Sequence, residues 1–377
     1  MHRLLVFMFA LALGTSGLHS QTARLDRGGR AIGVGGAFTG LSNSSEAIFY
    51  NPAGLASVPF RQASFFYAAP YGISELNHFS FSYLDPEILS DYGSLGLAAS
   101  RYGFDLYNET MASISYANNF FKRFFVGVTL SYNRITALNY GSAGAFGIDL
   151  GILTFITPEL SLGFSAFNLN APSYGIVEEP AAQTYTLGVA YRITNELRFL
   201  VDFEKDVKFP LLIKSGVEYF PIPFFAIRSG FNFTAANATP SQLTAGFGFR
   251  YSLFDIDYAA LNHPDLGLSH QLSFSFRFGK ADTPENTDEE INDFIEDIFL
   301  SPKQELQQGK KINLNLATLD DFMLLPTMTT QIAKRILQYR EDYGGFKTIS
   351  ELKFIRGVNR ERFKILEPYV TLTTESE

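Results

Sequence analysis

The chain holds 377 residues, with no cysteine, no tryptophan and a formal charge of −8 from 30 basic and 38 acidic residues. Lack of cysteine excludes disulfides, a thiolate nucleophile, zinc–thiolate sites and a lipidated cysteine anchor, and the acidic balance gives no global pull toward nucleic acid. Aromatics at 15% beside charged residues at only 18% depart from soluble domains, where charges run near ~25%.

Met1, His2 and Arg3 form a basic start, followed by an apolar run over 4–14 and small residues over 15–20. This is the pattern of an export signal occupying 1–20, and the run is shorter than the ~20 residues a membrane helix needs. Every later apolar stretch is soon cut by Gly, Ser, Asn or a charge. An exported, apolar, helix-poor chain is either a secreted β-protein or an outer-membrane barrel.

Residues 62–278 contain fourteen segments of period-2 alternation. In one, Phe124, Val126, Val128, Leu130 and Tyr132 alternate with Phe125, Gly127, Thr129 and Ser131. In another, Leu243, Ala245, Phe247, Phe249 and Tyr251 alternate with Thr244, Gly246, Gly248, Arg250 and Ser252. The second face collects Arg192, Arg198, Asp202, Glu204, Lys214, Glu218, Arg228, Arg250, Asp255, Asp257 and Arg277. A soluble sandwich would turn that face to water; a membrane barrel turns it to the lumen and the aromatic face to lipid. Tyr83, Tyr132, Tyr219 and Tyr251 fall at segment ends, as an interfacial girdle requires.

Links from even to odd segments read as tiny, at 157–158, 194–195, 221–223 and 252–253. Odd-to-even links read as longer, at 134–144, 168–182, 234–241 and 261–268, with 85–92 and 205–210 as exceptions. Short turns on one side and longer loops on the other follow the outer-membrane pattern. An even strand count then puts both ends of the barrel on the short-turn, periplasmic side. The last segment closes on Phe278, the position of an aromatic signal for the barrel-assembly machinery. The fold class expected is an all-β transmembrane barrel of fourteen antiparallel strands over 61–280, embedded in outer-membrane lipid.

Ahead of the barrel, 21–60 carries Arg30, Ala31, Gly33, Gly35, Gly36, Ala37 and Phe38, then Asn51, Pro52, Ala53, Gly54 and Leu55. This stretch resembles the N-terminal signature of FadL-type outer-membrane transporters and their PorV/PorQ-like relatives. The resemblance implies a hatch lying inside a fourteen-strand barrel, with Arg30, Gly33, Gly35, Gly36, Asn51, Pro52 and Gly54 as its motif. It implies transport of hydrophobic compounds for FadL-type members, and secretion-associated (type IX) traffic for the more compact PorV-like ones. Reading Gly33–Gly36 as a phosphate loop fails, since no strand precedes it and no Lys-Ser/Thr follows.

Composition changes after Lys280. Residues 281–311 form an acidic linker in which Ile291, Phe294, Ile295, Ile298 and Phe299 share one face of an expected docking helix, capped by Thr287 and Glu290. Residues 312–374 then resemble the tandem helix-hairpin-helix domain of ComEA-like DNA-binding proteins, through Ile312, Asn313, Asn315, Ala317, Leu325 and Pro326 and, further on, Tyr339, Arg340, Gly344, Phe346, Leu352 and Gly357. The resemblance implies a small all-α periplasmic domain whose hairpins hold a phosphate on backbone N–H groups. The first hairpin, Pro326-Thr327-Met328-Thr329, lacks both expected glycines. The second keeps Gly357, Val358, Asn359 and Arg360 as a phosphate-binding candidate, beside Lys353, Arg356, Arg362 and Lys364. The charge over 311–377 is nearly balanced, where a duplex binder shows a basic stripe. Docking of a periplasmic protein is therefore preferred, with weak DNA binding or uptake the alternative.

His78, His263 and His270 are the histidines beyond the export signal, and none has metal-ligand spacing. Pairing of His270 with Asp265 in the last outer loop is the one conceivable catalytic arrangement, and it is disfavoured. No catalytic residue, metal or cofactor is expected. The sequence reads as a non-enzymatic outer-membrane protein engaged in transport or secretion, with its C-terminal domain in the periplasm.

Overall fold

The structure, a computed structural model, describes residues 25–278 apart from 74, 87, 89–92, 121–122, 176–178 and 236–239. It also describes residue 295, and 311–372 apart from 329, 356 and 359. The export signal, most of the acidic linker, Arg356 and Asn359 lie outside the described residues. Two compact units divide the chain, Met1–Glu285 and Asn286–Glu377.

The first unit is a closed antiparallel barrel of fourteen strands. In chain order these are β1 (Arg61–Ala69), β2 (Asn77–Asp85), β3 (Ser94–Gly103), β4 (Tyr107–Phe120), β5 (Phe124–Ala137), β6 (Gly141–Phe155) and β7 (Leu160–Phe167), followed by β8 (Thr184–Arg192), β9 (Leu197–Asp206), β10 (Leu212–Ile222), β11 (Phe225–Thr234), β12 (Pro240–Tyr251), β13 (Phe254–His263) and β14 (Gly267–Phe278). Each strand pairs with its sequence neighbour, and β1 closes on β14 from Arg61 opposite Phe278 to Ala69 opposite His270. Both ends of the barrel chain therefore lie at one rim.

Burial is inverted relative to a water-soluble protein. Phe65 is 54% and Val128 44% exposed, whereas Thr129 is 1% and Glu218 0% exposed. Outward apolar and inward polar side chains exclude the sandwich, whose aromatic face would be buried against a second sheet. Among the described residues no helix is long and apolar enough to cross a membrane; the strands are the crossing elements.

The expected asymmetry of the links needs correction. Residues 134–144 are mostly strand, since β5 runs to Ala137 and β6 starts at Gly141, and 261–268 is a tight turn between His263 and Gly267. Asn133, Arg134, Thr136 and Ser142 lack an apolar partner face and so read as loop. Beyond the hydrocarbon slab, from headgroup level outward, a strand can be polar on both faces while its backbone ladder continues. The long link that remains on this side is 168–183, which folds into a two-stranded ribbon of Ser173–Tyr174 with Glu179–Pro180.

Residues 25–60 lie inside the barrel as a hatch. It contains α1 (Gly29–Gly33) and 3-10 turns at Ser45–Phe49 and Pro52–Ser57. Hatch residues Val34, Phe38, Ile48, Phe49, Tyr50 and Leu55 form one buried cluster with wall residues Leu84, Ala98, Ala117, Ala190 and Leu200.

The second unit is helical: α2 (Leu319–Phe322), α3 (Thr330–Tyr343), a 3-10 turn at Ile349–Phe354 and α4 (Arg360–Leu366). A parallel pair, β15 (Ile312–Asn313) with β16 (Val370–Thr371), ties its ends. Its core includes Leu314, Phe322, Leu325, Ile332, Ile336, Leu352 and Leu366, and among the described residues the cluster runs from Ile312 to Val370.

Candidate functional site in the occluded lumen

Arg30 is the centre of the hatch motif. From α1 it donates through Nε and Nη2 to the two carboxylate oxygens of Glu218 on β10, each at 2.9 Å. Arg198 on β9 donates to the same carboxylate at 3.1 Å and Arg228 on β11 at 2.8 Å. Arg228 also reaches Asp257 on β13 at 2.7 Å. Glu218 is thus fully buried and accepts from three guanidiniums, an arrangement in which every bond is charge-assisted. A second ion cluster joins Lys214 to Asp26 at 3.2 Å and Glu204 at 3.0 Å.

Other hatch groups are held by neutral and backbone bonds. The N–H groups of Phe38 and Thr39 donate to Asp202 on β9 at 3.1 and 2.9 Å. Asn51 caps the turn that Pro52 begins: its Oδ1 accepts from the Ala53 N–H, and its Nδ2 donates to the carbonyls of Thr39 and Ile152. Ser161 on β7 donates to the Gly40 carbonyl, Thr244 on β12 to that of Gly33, and the Gly29 N–H to Ser273 on β14. Gly35 and Gly36 carry φ of 71° and 75°, a left-handed pair that returns the chain after α1.

These glycines have counterparts on the wall that the alternation alone did not assign. A Cβ on Gly216 would press on the Val34 carbonyl, and one on Gly163 on the Thr39 carbonyl. Inward-facing glycines mark the lines where hatch backbone lies directly on strand backbone. In the sequence they look like mere dilution of the charged face. Gly33 and Gly54 are likewise buried against Arg228 and Ser42.

Glu46, absent from the motif as read from sequence, occupies a further buried position. Ser273 Oγ donates to its Oε1 at 3.3 Å. Burial first, and the nearby Asp257 carboxylate second, push its carboxyl up from the ordinary 4.5 to about 8, against Arg30, Ser273 and Arg228.

Beyond the hatch, away from the rim that carries both barrel termini, the lumen keeps a cavity of about 110 Å³. Arg27, Phe49, Glu109, Met111, Asn133 and Asp149 are among the residues lining it. It is small beside the ~300–1,000 Å³ typical of ligand pockets, and its lining mixes acids, a base and amides.

In the second unit, the Asn-rich opening is a structural clamp. Asn315 Oδ1 accepts from the Phe346 N–H at 2.7 Å, its Nδ2 donates to the Phe346 carbonyl at 3.0 Å, and Arg340 donates to the carbonyls of Asn315 and Ala317. In the first hairpin Thr327 takes φ 59°, the left-handed region that a glycine would fill. In the second, Gly357 has φ 92° and Val358 is buried, while Arg360 opens α4. Arg362 donates to the Gly357 carbonyl, and Lys353 lies 4.3 Å from the centre of the Phe363 ring. Two of the local basic residues are therefore already engaged within the unit.

The remaining sequence candidates do not assemble into a catalytic site. His270 bonds to Tyr258 at 2.6 Å on the outer face, and His263 accepts from the N–H groups of Asp265 and Leu266. No hydrogen bond joins Asp265 to His270 among the described residues, and none of those residues forms a metal-ligating cluster. Phe278 ends β14 on the outer face, stacked 5.9 Å from Tyr83.

Comparison with known proteins divides along the same two units. Residues 307–371 match the helix-hairpin-helix motif family. Curated relatives include endonuclease/exonuclease/phosphatase family domain-containing protein 1 of Xenopus laevis, 38% identical over 59 residues, or 16% of this chain. The Homo sapiens protein is 36% identical over the same length. The chain spans only 11% and 10% of those two relatives. Among solved structures, the Ralstonia pickettii toluene transporter TbuX is similar with TM-score 0.51 at 13% identity, over 67% of this chain and 98% of TbuX. A Pseudomonas aeruginosa FadL homologue gives 0.48 at 13% identity, over 68% and 99%. The chain thus has the fourteen-strand barrel fold of the FadL-type transporters and ends in a helix-hairpin-helix motif.

Proposed function

We propose that this is a non-enzymatic outer-membrane protein whose barrel is held shut by its hatch and whose helix-hairpin-helix unit works from the periplasm. The unit serves as a docking module for a protein partner, and the whole chain serves secretion-associated, type IX-like traffic. The observation that carries this reading is the Glu218 cluster: the hatch is locked to β10 by buried ion pairs, Arg30 sharing the Glu218 carboxylate with Arg198 of β9 and Arg228 of β11, and the lumen beyond it is narrow and charged. Exposed Leu316, Tyr343 and Phe354 give the C-terminal unit apolar surface for a partner. Passage of hydrophobic solutes is the second reading, favoured by the fold shared with TbuX and opposed by the charged lining. DNA binding by the second hairpin is supported by Gly357 and opposed by the engagement of Arg362 and Lys353.

The test is conductance in planar bilayers. Wild-type protein is expected to be closed. Glu218→Gln leaves three arginines around an amide, and losing one partner of a buried ion pair costs ~3–5 kcal/mol. Because the strands are held by their ladder, the loss falls on the hatch, and the variant should conduct. A wild-type barrel that conducts steadily would overturn the closed-barrel reading.

A further inference from the structure

Two arginines stand on the wrong face of the barrel for a lumen and the right one for a lipid. Arg101 on β3 continues the outward series Leu97, Ala99, and Arg134 on β5 continues Leu130, Tyr132; both are exposed. The register sets Arg101 opposite Thr110 on β4, and Thr110 opposite Arg134. The two guanidiniums therefore share one row on one face, two strand spacings or ~10 Å apart. They lie toward the rim opposite the barrel termini. Arg101 makes no ion pair among the described residues, and Arg134 only donates to Ser142 at 2.9 Å. Glu109, on the next row, is turned into the lumen, where it lines the cavity.

Beneath this row the outer surface is hollow. Ala99 and Ala112 face one another across β3 and β4, both exposed, between Phe81 on β2 and Tyr132 on β5. On the β2 side the trough opens into a depression of about 520 Å³ lined by Phe65, Tyr67, Phe79 and Phe81 and reaching Arg101. Paired rings, Phe65 with Phe81 at 5.0 Å and Tyr67 with Phe79 at 4.9 Å, wall it. An unpaired arginine on a lipid face is costly unless it lies at headgroup level and meets an anion there.

We propose that this surface binds a bis-phosphorylated glycolipid of the outer leaflet, with one phosphate on Arg101, the second on Arg134 and an acyl chain along Ala99 and Ala112. Guanidinium matches phosphate through two parallel N–H···O bonds, and the two small side chains leave room for a chain that Phe or Leu would fill. The inference rests on the orientation proposed above, with both barrel termini toward the periplasm. That orientation is read separately by protease access to residues 311–372 in intact and in permeabilised cells.

The full chain in detergent micelles is titrated with diphosphoryl lipid A and, separately, with phosphatidylglycerol, and retained lipid is counted by native mass spectrometry. One retained lipid A is expected, bound at least tenfold more weakly by the double variant R101Q/R134Q and normally by R123Q at the other rim. Heat-dependent electrophoretic migration checks that each variant is folded. Equal retention of lipid A by the folded double variant, or equal retention of phosphatidylglycerol by the wild type, would overturn the assignment.

Discussion

Glu46 is a carboxyl placed where its charge is unwelcome, buried in the lumen and near Asp257. Its ordinary value of 4.5 is raised to about 8, so the seated hatch holds a proton that the free chain gives up. The stabilisation of the seat is complete below about 4.5 and is lost as pH rises through about 8. Conductance should therefore rise between pH 6 and pH 9, and Glu46→Gln should flatten that dependence; an unchanged profile in the variant would remove Glu46 as its cause. Thr327 presents a different cost. A β-branched residue at φ 59° sits in a region that carries ~1–3 kcal/mol of strain. Thr327→Gly should stabilise the helix-hairpin-helix unit by about 1 kcal/mol after the entropy of glycine is subtracted. Urea unfolding of fragment 307–372, which holds the whole described core cluster from Ile312 to Val370, reads this as a higher midpoint.

At the scale of the strand, the two faces predict two kinds of failure. Val128→Arg places a charge in lipid, at ~2–4 kcal/mol near the midplane, and should impair assembly into vesicles. Gly216→Ala should assemble, because the ladder is untouched, but push Val34 off the wall and leave the hatch open to protease and the barrel conducting. Equal assembly defects in both would show the faces misassigned. The alternation of β5 and β12 made these faces legible from sequence, since period 2 is a local property of neighbouring residues. Strand ends beyond the hydrocarbon core were not legible, because Arg134 and Ser142 carry no such pattern. Nor was the site: Arg30 was visible as part of a motif, but its partner Glu218 lies far along the chain, and only the barrel's closure brings them together. The role of Asn315 as a clamp was hidden in the same way behind its motif.

At the scale of the molecule, the hatch is bound on nearly every side, to β1 and β2 through Ser45, and to β6, β7, β9, β10, β12 and β14 through the bonds described above. The seam from Arg61 opposite Phe278 to Ala69 opposite His270 joins the first strand to the last, the pairing with the greatest sequence separation and the largest loop-closure cost. A plug gripped around most of its circumference is not readily threaded into a finished cylinder; it is expected to be wrapped. The expected order of assembly has the hatch settling among the later strands while the wall is still an open, curled sheet, and the seam shutting last. Residues 56–278 folded alone should give a leaky barrel that a peptide of residues 22–55 seals when present during refolding but not when added afterwards. On this reading the ion pairs proposed to close the pore would also record the history of its making: a shut barrel would be one that folded around its own contents.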